Sequence, residues 1–168
     1  MEEVEIITLK PSQWKQYKDL RLEALKEEPQ AFSSTYDENV IHPDKFWMDR
    51  LQDSQNGKQW LLFAKKGEEL VGMVGGIMGD EKDTVLVIAM YVCKEQRGQG
   101  ISKRLMDSLA SEIQKNKTIK KLSLRVSTGQ PVALNLYKSL GFEEFKKEKI
   151  VLGDGEQRLI CYLEKPIN

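Results

Sequence analysis

The chain is poor in the residues that several common chemistries require. Only two of its 168 residues are cysteines, Cys93 and Cys161, too few and too far apart for a disulfide framework or a CxxC metal site. A single histidine, His42, leaves any Ser–His–Asp or Cys–His hydrolase dependent on that one residue. Its place before Pro43 at a helix start reads as an exposed position. There is no excess of either charge, since Lys plus Arg and Asp plus Glu both number 26. The electrostatic case for a nucleic-acid or anionic-membrane partner, which needs a basic surplus, is therefore missing. The longest apolar run, Val85 to Cys93, falls far short of the ~20 residues of a membrane helix. The opening Met1-Glu2-Glu3-Val4-Glu5 lacks the basic-then-apolar order of a signal peptide. No repeat, low-complexity tract or Pro/Gly-rich linker marks a domain boundary. The expectation is one domain over residues 1–168, soluble and cytoplasmic, with reduced thiols and no metal.

What is present is an ordinary globular balance, 40% hydrophobic and 31% charged, enough to bury a sizeable core. Val4 to Leu9 reads as a short strand. Pro11-Ser12 opens a helix, with Ser12 as the candidate cap and Trp14, Tyr17, Arg21, Ala24 and Leu25 at helical spacing; Pro29 ends it. Gln30 to Val40 is polar with interleaved Phe32 and Tyr36 and shows no period. Pro43-Asp44 starts a second helix that fades at Gln55-Asn56-Gly57. Three strands follow, Gln59 to Lys65, Glu69 to Met78 and Thr84 to Val92, separated by turn residues. The third is a continuous apolar run rather than an alternation, which predicts a central strand covered on both faces.

From Ile101 the period becomes helical, with Ile101, Leu105, Met106, Leu109, Ala110 and Ile113 on one stripe. Lys121 to Val126 alternates as a strand. Pro131 begins a helix stopped by Gly141. Two closing strands, Phe142 to Leu152 and Glu156 to Glu164, flank the turn Gly153-Asp154-Gly155. Strands interleaved in this order with helices predict a mixed α/β sheet with helices on both faces.

The junction from Val92 to Lys103 carries the chemistry. A buried strand ends, Gly98 and Gly100 follow, and an amphipathic helix begins. A helix start offers unpaired N–H groups and a partial positive charge, and glycines let a phosphate approach them. Arg97 and Lys103 add charge at either end. The spacing is neither GxxxxGK[ST] nor GxGxxG, because Lys103 stands where the third glycine belongs, so nucleoside triphosphates and NAD are disfavoured ligands. Taken alone, a Gly-x-Gly after a strand is as often a plain tight turn.

Arg97-Gly98-Gln99-Gly100-Ile101-Ser102 resembles the Q/R-x-x-G-x-G/A signature of the GNAT superfamily of acetyltransferases, with Ser102 where Gly or Ala is usual. Ala133-Leu134-Asn135-Leu136-Tyr137-Lys138-Ser139-Leu140-Gly141-Phe142 is similar to the A-x-x-L-Y-x-x-x-G-F ending of the same family, with Gln130 where Asn is frequent. The resemblance implies a mixed, mostly antiparallel sheet of about seven strands flanked by about four helices. It implies acetyl-CoA as co-substrate, held by Met90, Tyr91, Val92, Arg97, Gly98, Gln99, Gly100, Ile101, Ser102, Lys103, Gln130 and Tyr137. It also implies transfer of the acetyl group to a primary amine of a small molecule or peptide, with Tyr137 partnering the departing thiolate.

Phe32, Tyr36 and Glu38 are candidates to line the amine site, and Glu38 is a candidate base, since the apolar strand holds no carboxylate. A solvated loop carboxylate is the plainer reading of Glu38. The rival function is a catalytically silent acetyl-CoA-binding sensor. A homodimer through the final strands is a further expectation of the resemblance.

Overall fold

The computed structural model describes residues 2–168. Among them a seven-stranded sheet runs through the molecule in the order β1-β2-β3-β4-β5-β7-β6. The strands are β1 (Val4–Ile7), β2 (Trp60–Lys66), β3 (Glu69–Met78), β4 (Thr84–Val92), β5 (Lys121–Ser127), β6 (Glu143–Val151) and β7 (Gln157–Pro166). Every neighbouring pair is antiparallel except β4 and β5, which are parallel. That single parallel junction needs a crossover, and α4 (Ile101–Gln114) supplies it.

Five α-helices are present among the described residues, one more than expected: α1 (Trp14–Glu27), α2 (Tyr36–Val40), α3 (Asp44–Gln55), α4 and α5 (Pro131–Ser139). The additional one is α2, in the stretch without period. It exists because Thr35 and Glu38 form a reciprocal capping box. Thr35 Oγ1 accepts from the Glu38 N–H at 3.2 Å, and Glu38 Oε2 accepts from the Thr35 N–H at 2.8 Å.

Ser12 does not cap α1. A short 3-10 turn over Pro11–Gln13 precedes that helix, and the Gln13 side chain accepts from the Lys10 N–H at 2.9 Å. Tyr17, Leu20, Ala24 and Leu25 are the buried positions of α1. The stripe of α4 buries Ile101, Leu105, Met106, Leu109 and Ile113, as its 3.6-residue period dictates. Together with Phe63, Met73, Val74 and Val85 they belong to one continuous core. Among the described residues no helix is long and apolar enough to cross a membrane.

The β6–β7 turn is fixed by Asp154, which accepts from the Glu156 N–H at 3.1 Å and pairs with Arg158 at 2.7 Å, while Gly155 takes φ 81. A Cβ on Gly153 would lie 3.0 Å from the Ser33 carbonyl oxygen. Glycine there lets the turn close against the segment that follows α1.

Candidate active site

The site is a wedge in the sheet. β4 and β5 pair at Thr84↔Lys121, Val85↔Leu122 and Leu86↔Ser123, and their pairing ends there. On its other edge β4 stays paired with β3 as far as Gly72↔Val92. From Val87 onward the edge of β4 that faces β5 has no strand partner, and its backbone groups border a cleft of about 820 Å³.

A β-bulge sits at the same place. Met73 faces Tyr91 and Gly75 faces Ile88, so Val74 alone opposes both Ala89 and Met90. Ala89 adopts φ 57, the one non-glycine residue with positive φ among those described. A left-handed alanine costs about 1–2 kcal/mol, and such strain persists only where the surroundings enforce it. Beyond the bulge, the Cys93 N–H donates to the Val71 carbonyl oxygen at 2.8 Å. Strand alternation therefore turns the Val92 N–H toward the unpaired edge.

The loop after β4 meets the requirements of an anion cradle. Gly98 and Gly100 both take φ 77, and a Cβ on either would meet nothing within 4 Å. Glycine is needed there for backbone conformation and for open space above the loop. Gly100 is the N-cap of α4 and makes no side-chain cap. The first intrahelical bond is donated by Arg104 to Gly100. Among the described residues, the N–H groups from Gly98 to Lys103 donate to no protein acceptor. They are the free donors that a helix start presents to a phosphate.

Most of the sequence candidates line this one cleft: Met90, Tyr91 and Val92 from β4, Arg97, Gly98, Gly100, Ile101, Ser102 and Lys103 from the loop and α4, Gln130 and Tyr137 at α5, and Phe32. The Gln99 side chain is exposed and lies near Gln96 instead. Arg97 is tied back rather than free, with Nε donating to the Val92 carbonyl oxygen at 3.0 Å and Nη2 2.7 Å from Glu28 Oε1. Tyr137 is buried and packs edge-on against Phe142, with 6.1 Å between ring centroids. Burial alone pushes its phenol up to about 12.

Glu38 and Tyr36 lie outside the cleft. Glu38 is exposed and committed to capping α2. Tyr36 carries Lys26 over its ring at 4.5 Å and lines a smaller hollow beside Gly153 and Asp154. His42 is half-buried, stacked on Phe46 at 3.7 Å, and is not among the residues that line the cleft. Burial pushes the Cys93 thiol up to about 12, which leaves it protonated and a poor nucleophile.

Several lining residues were not singled out from sequence. Arg21, Glu28, Arg50 and Arg125 all border the cleft, as do Ile150 and Leu152 from the last hairpin. With Arg97 and Lys103, the cleft of a chain with zero formal net charge is lined by five cations and one carboxylate. Arginine on the inward stripe of α1 was the available signal.

The matched family model is the acetyltransferase (GNAT) family, over residues 15–142, and the chain belongs to that family. Its fold matches an acetyltransferase of the GNAT family from Streptococcus pneumoniae, with TM-score 0.84 and 16% identity over 98% of this chain and 100% of the other. The Salmonella typhimurium protein yncA, solved with its cofactor acetyl-CoA, matches with TM-score 0.82 and 14% identity over 99% and 95% of the two chains. PaiA N-acetyltransferase from Thermoplasma acidophilum, in complex with coenzyme A, matches with TM-score 0.73 and 20% identity over 98% and 99%. Among curated protein sequences none matches significantly. The chain is thus an acyltransferase of the acetyltransferase class, with the family's seven-stranded mixed sheet.

Proposed function

We propose that the protein acetylates a primary amine, on a small molecule or a peptide, by direct attack of the amine on acetyl-CoA. The observation that carries this reading is the run of free N–H groups from Gly98 to Lys103 at the mouth of a basic cleft. A diphosphate fits those donors, because both glycines leave the space above them open. Gln130 and the unpaired edge of β4 border the path that a pantetheine arm would take.

Bound there, acetyl-CoA supplies an activated acyl carbon and a thiolate leaving group. The amine nitrogen forms the new C–N bond as the C–S bond breaks, the electron pair leaves on sulfur, and the amine gives up a proton to solvent. The Val92 N–H, turned to the open edge beside the bulge, is the donor for a carbonyl oxygen that gains charge. Tyr137 serves as the donor to the departing sulfur. Its phenol stays protonated to about pH 12, well above an ordinary thiol near 8.5, so it gives a hydrogen bond rather than its proton.

One observation favours a second reading, an acetyl-CoA sensor without turnover. The single carboxylate lining the cleft, Glu28, is occupied by Arg97, so no free carboxylate stands ready as a base. Thiol release from acetyl-CoA over a panel of amines separates the two. Amine-dependent release that drops in Tyr137→Phe supports the enzyme, whereas tight binding with no amine-dependent release supports the sensor.

A further inference from the structure

Two of the arginines that line the cleft, one on α1 and one on α3, have no counter-ion. Arg21 follows Tyr17 by one turn of α1, and Arg50 comes from α3. Arg21 Nη2 donates to Ser34 Oγ at 3.1 Å, its guanidinium carbon lies 4.6 Å from the Phe32 ring centroid, and Nη1 is buried with no partner. Arg50 Nε donates to the Tyr17 hydroxyl at 2.9 Å, and its guanidinium carbon lies 5.5 Å from the Phe46 ring centroid. Neither makes an ion pair with any carboxylate among the described residues.

Arginine does not neutralise itself in a protein. Two guanidiniums held in a hydroxyl and aromatic setting therefore keep their charge. Burial holds the pKa of Arg21 below the usual arginine value, with Tyr17 opposing that shift and the Arg50 charge adding to it. Leaving such a charge partly desolvated and unpaired is unfavourable, and an anionic group arriving in the cleft would relieve that. The same cleft also has apolar lining, with Ile77, Leu86, Ile88, Ile150 and Leu152.

We infer that these two arginines recognise the carboxylate of the acceptor, so that the preferred substrate is a small primary amine bearing a carboxylate on an apolar body. The inference rests on the acetyl-transfer reading above and narrows it. It also disfavours polyamines and lysine side chains, which would bring a further cation to two that are already uncompensated. The same two charges oppose protonation of the incoming amine, which eases the need for a lining carboxylate as base.

Paired acceptors test it: L-leucine against 3-methylbutylamine, and L-phenylalanine against 2-phenylethylamine. The expected result is a kcat/KM about 100-fold higher for the carboxylated member of each pair, the size expected when a buried charge gains its partner. In Arg21→Met and Arg50→Met that ratio should collapse toward one, with acetyl-CoA affinity by calorimetry confirming that each variant is folded. Equal or better use of the decarboxylated amines by the natural chain would overturn the inference while leaving acetyl transfer intact. Calorimetry with N-acetyl-L-leucine against N-(3-methylbutyl)acetamide, in the presence of CoA, reads the same preference without turnover. Selective binding of the carboxylated ligand with no turnover would keep the inference and sink the enzyme reading; no selectivity would sink the inference.

Discussion

Arg97 Nη2 lies 2.7 Å from Glu28 Oε1 while its Nε donates to the Val92 carbonyl oxygen at 3.0 Å. One side chain thereby joins the segment after α1, the end of β4 and the start of the glycine loop. The Glu28 side chain is 24% exposed and that of Arg97 is 43% exposed, so the pair adds little to global stability. Its effect falls on where the loop sits. Glu28→Gln is expected to raise the Kd for acetyl-CoA by about 3–10-fold while the thermal midpoint moves by no more than about 2 °C. Calorimetry and a thermal melt on the same preparation measure both.

Tyr137→Phe conserves volume and removes one hydroxyl. If that hydroxyl serves the departing sulfur, kcat should fall by about 10–100-fold, while the Kd for acetyl-CoA changes by less than about threefold. A steady-state thiol-release assay with a saturating amine measures the first and calorimetry the second. An unchanged kcat would reduce Tyr137 to a packing residue against Phe142.

The same residue makes a prediction about pH. Its folded pKa is raised from 10.0 to about 12 by burial. Between those limits the folded state holds a proton that the unfolded state has released. The stabilisation is therefore complete below pH 10 and is lost as pH climbs toward 12, amounting to about 2–3 kcal/mol. Urea midpoints of the natural chain should decline more steeply from pH 9.5 to 11 than those of Tyr137→Phe. Parallel declines would contradict the burial of an un-ionised phenol.

Glu38→Gln separates capping from catalysis. An amide still caps, so the cost should stay under about 1 kcal/mol, and thiol release should keep its rate. A large loss of kcat with unchanged stability would bring Glu38 back into the chemistry.

Much of the scaffold was legible because local chemistry and global packing agree. β3 and β4 match their predicted spans residue for residue, since turn residues bound one and a continuous apolar run forms the other. The glycine loop was legible because backbone conformation itself demands glycine at Gly98 and Gly100. The five-residue α2 had no period to detect, although Thr35-x-x-Glu38 is a readable cap. That same cap explains why Glu38 is unavailable to the cleft. The bulge at Ala89 leaves no mark in the sequence, because alanine in an apolar strand gives no hint of positive φ. The meeting of Arg21 with Arg50, and of Glu28 with Arg97, is tertiary and joins segments that no local pattern relates.

The most direct measurement is calorimetric titration of acetyl-CoA into the natural chain and into Gly100→Glu, with a thermal melt of each. Space beyond Gly100 is open, so the variant should fold at a cost of about 1–2 kcal/mol for a left-handed side chain. A carboxylate placed over the free N–H groups should weaken binding by at least about 100-fold. A folded Gly100→Glu that binds acetyl-CoA as tightly as the natural chain would show that the diphosphate is held elsewhere.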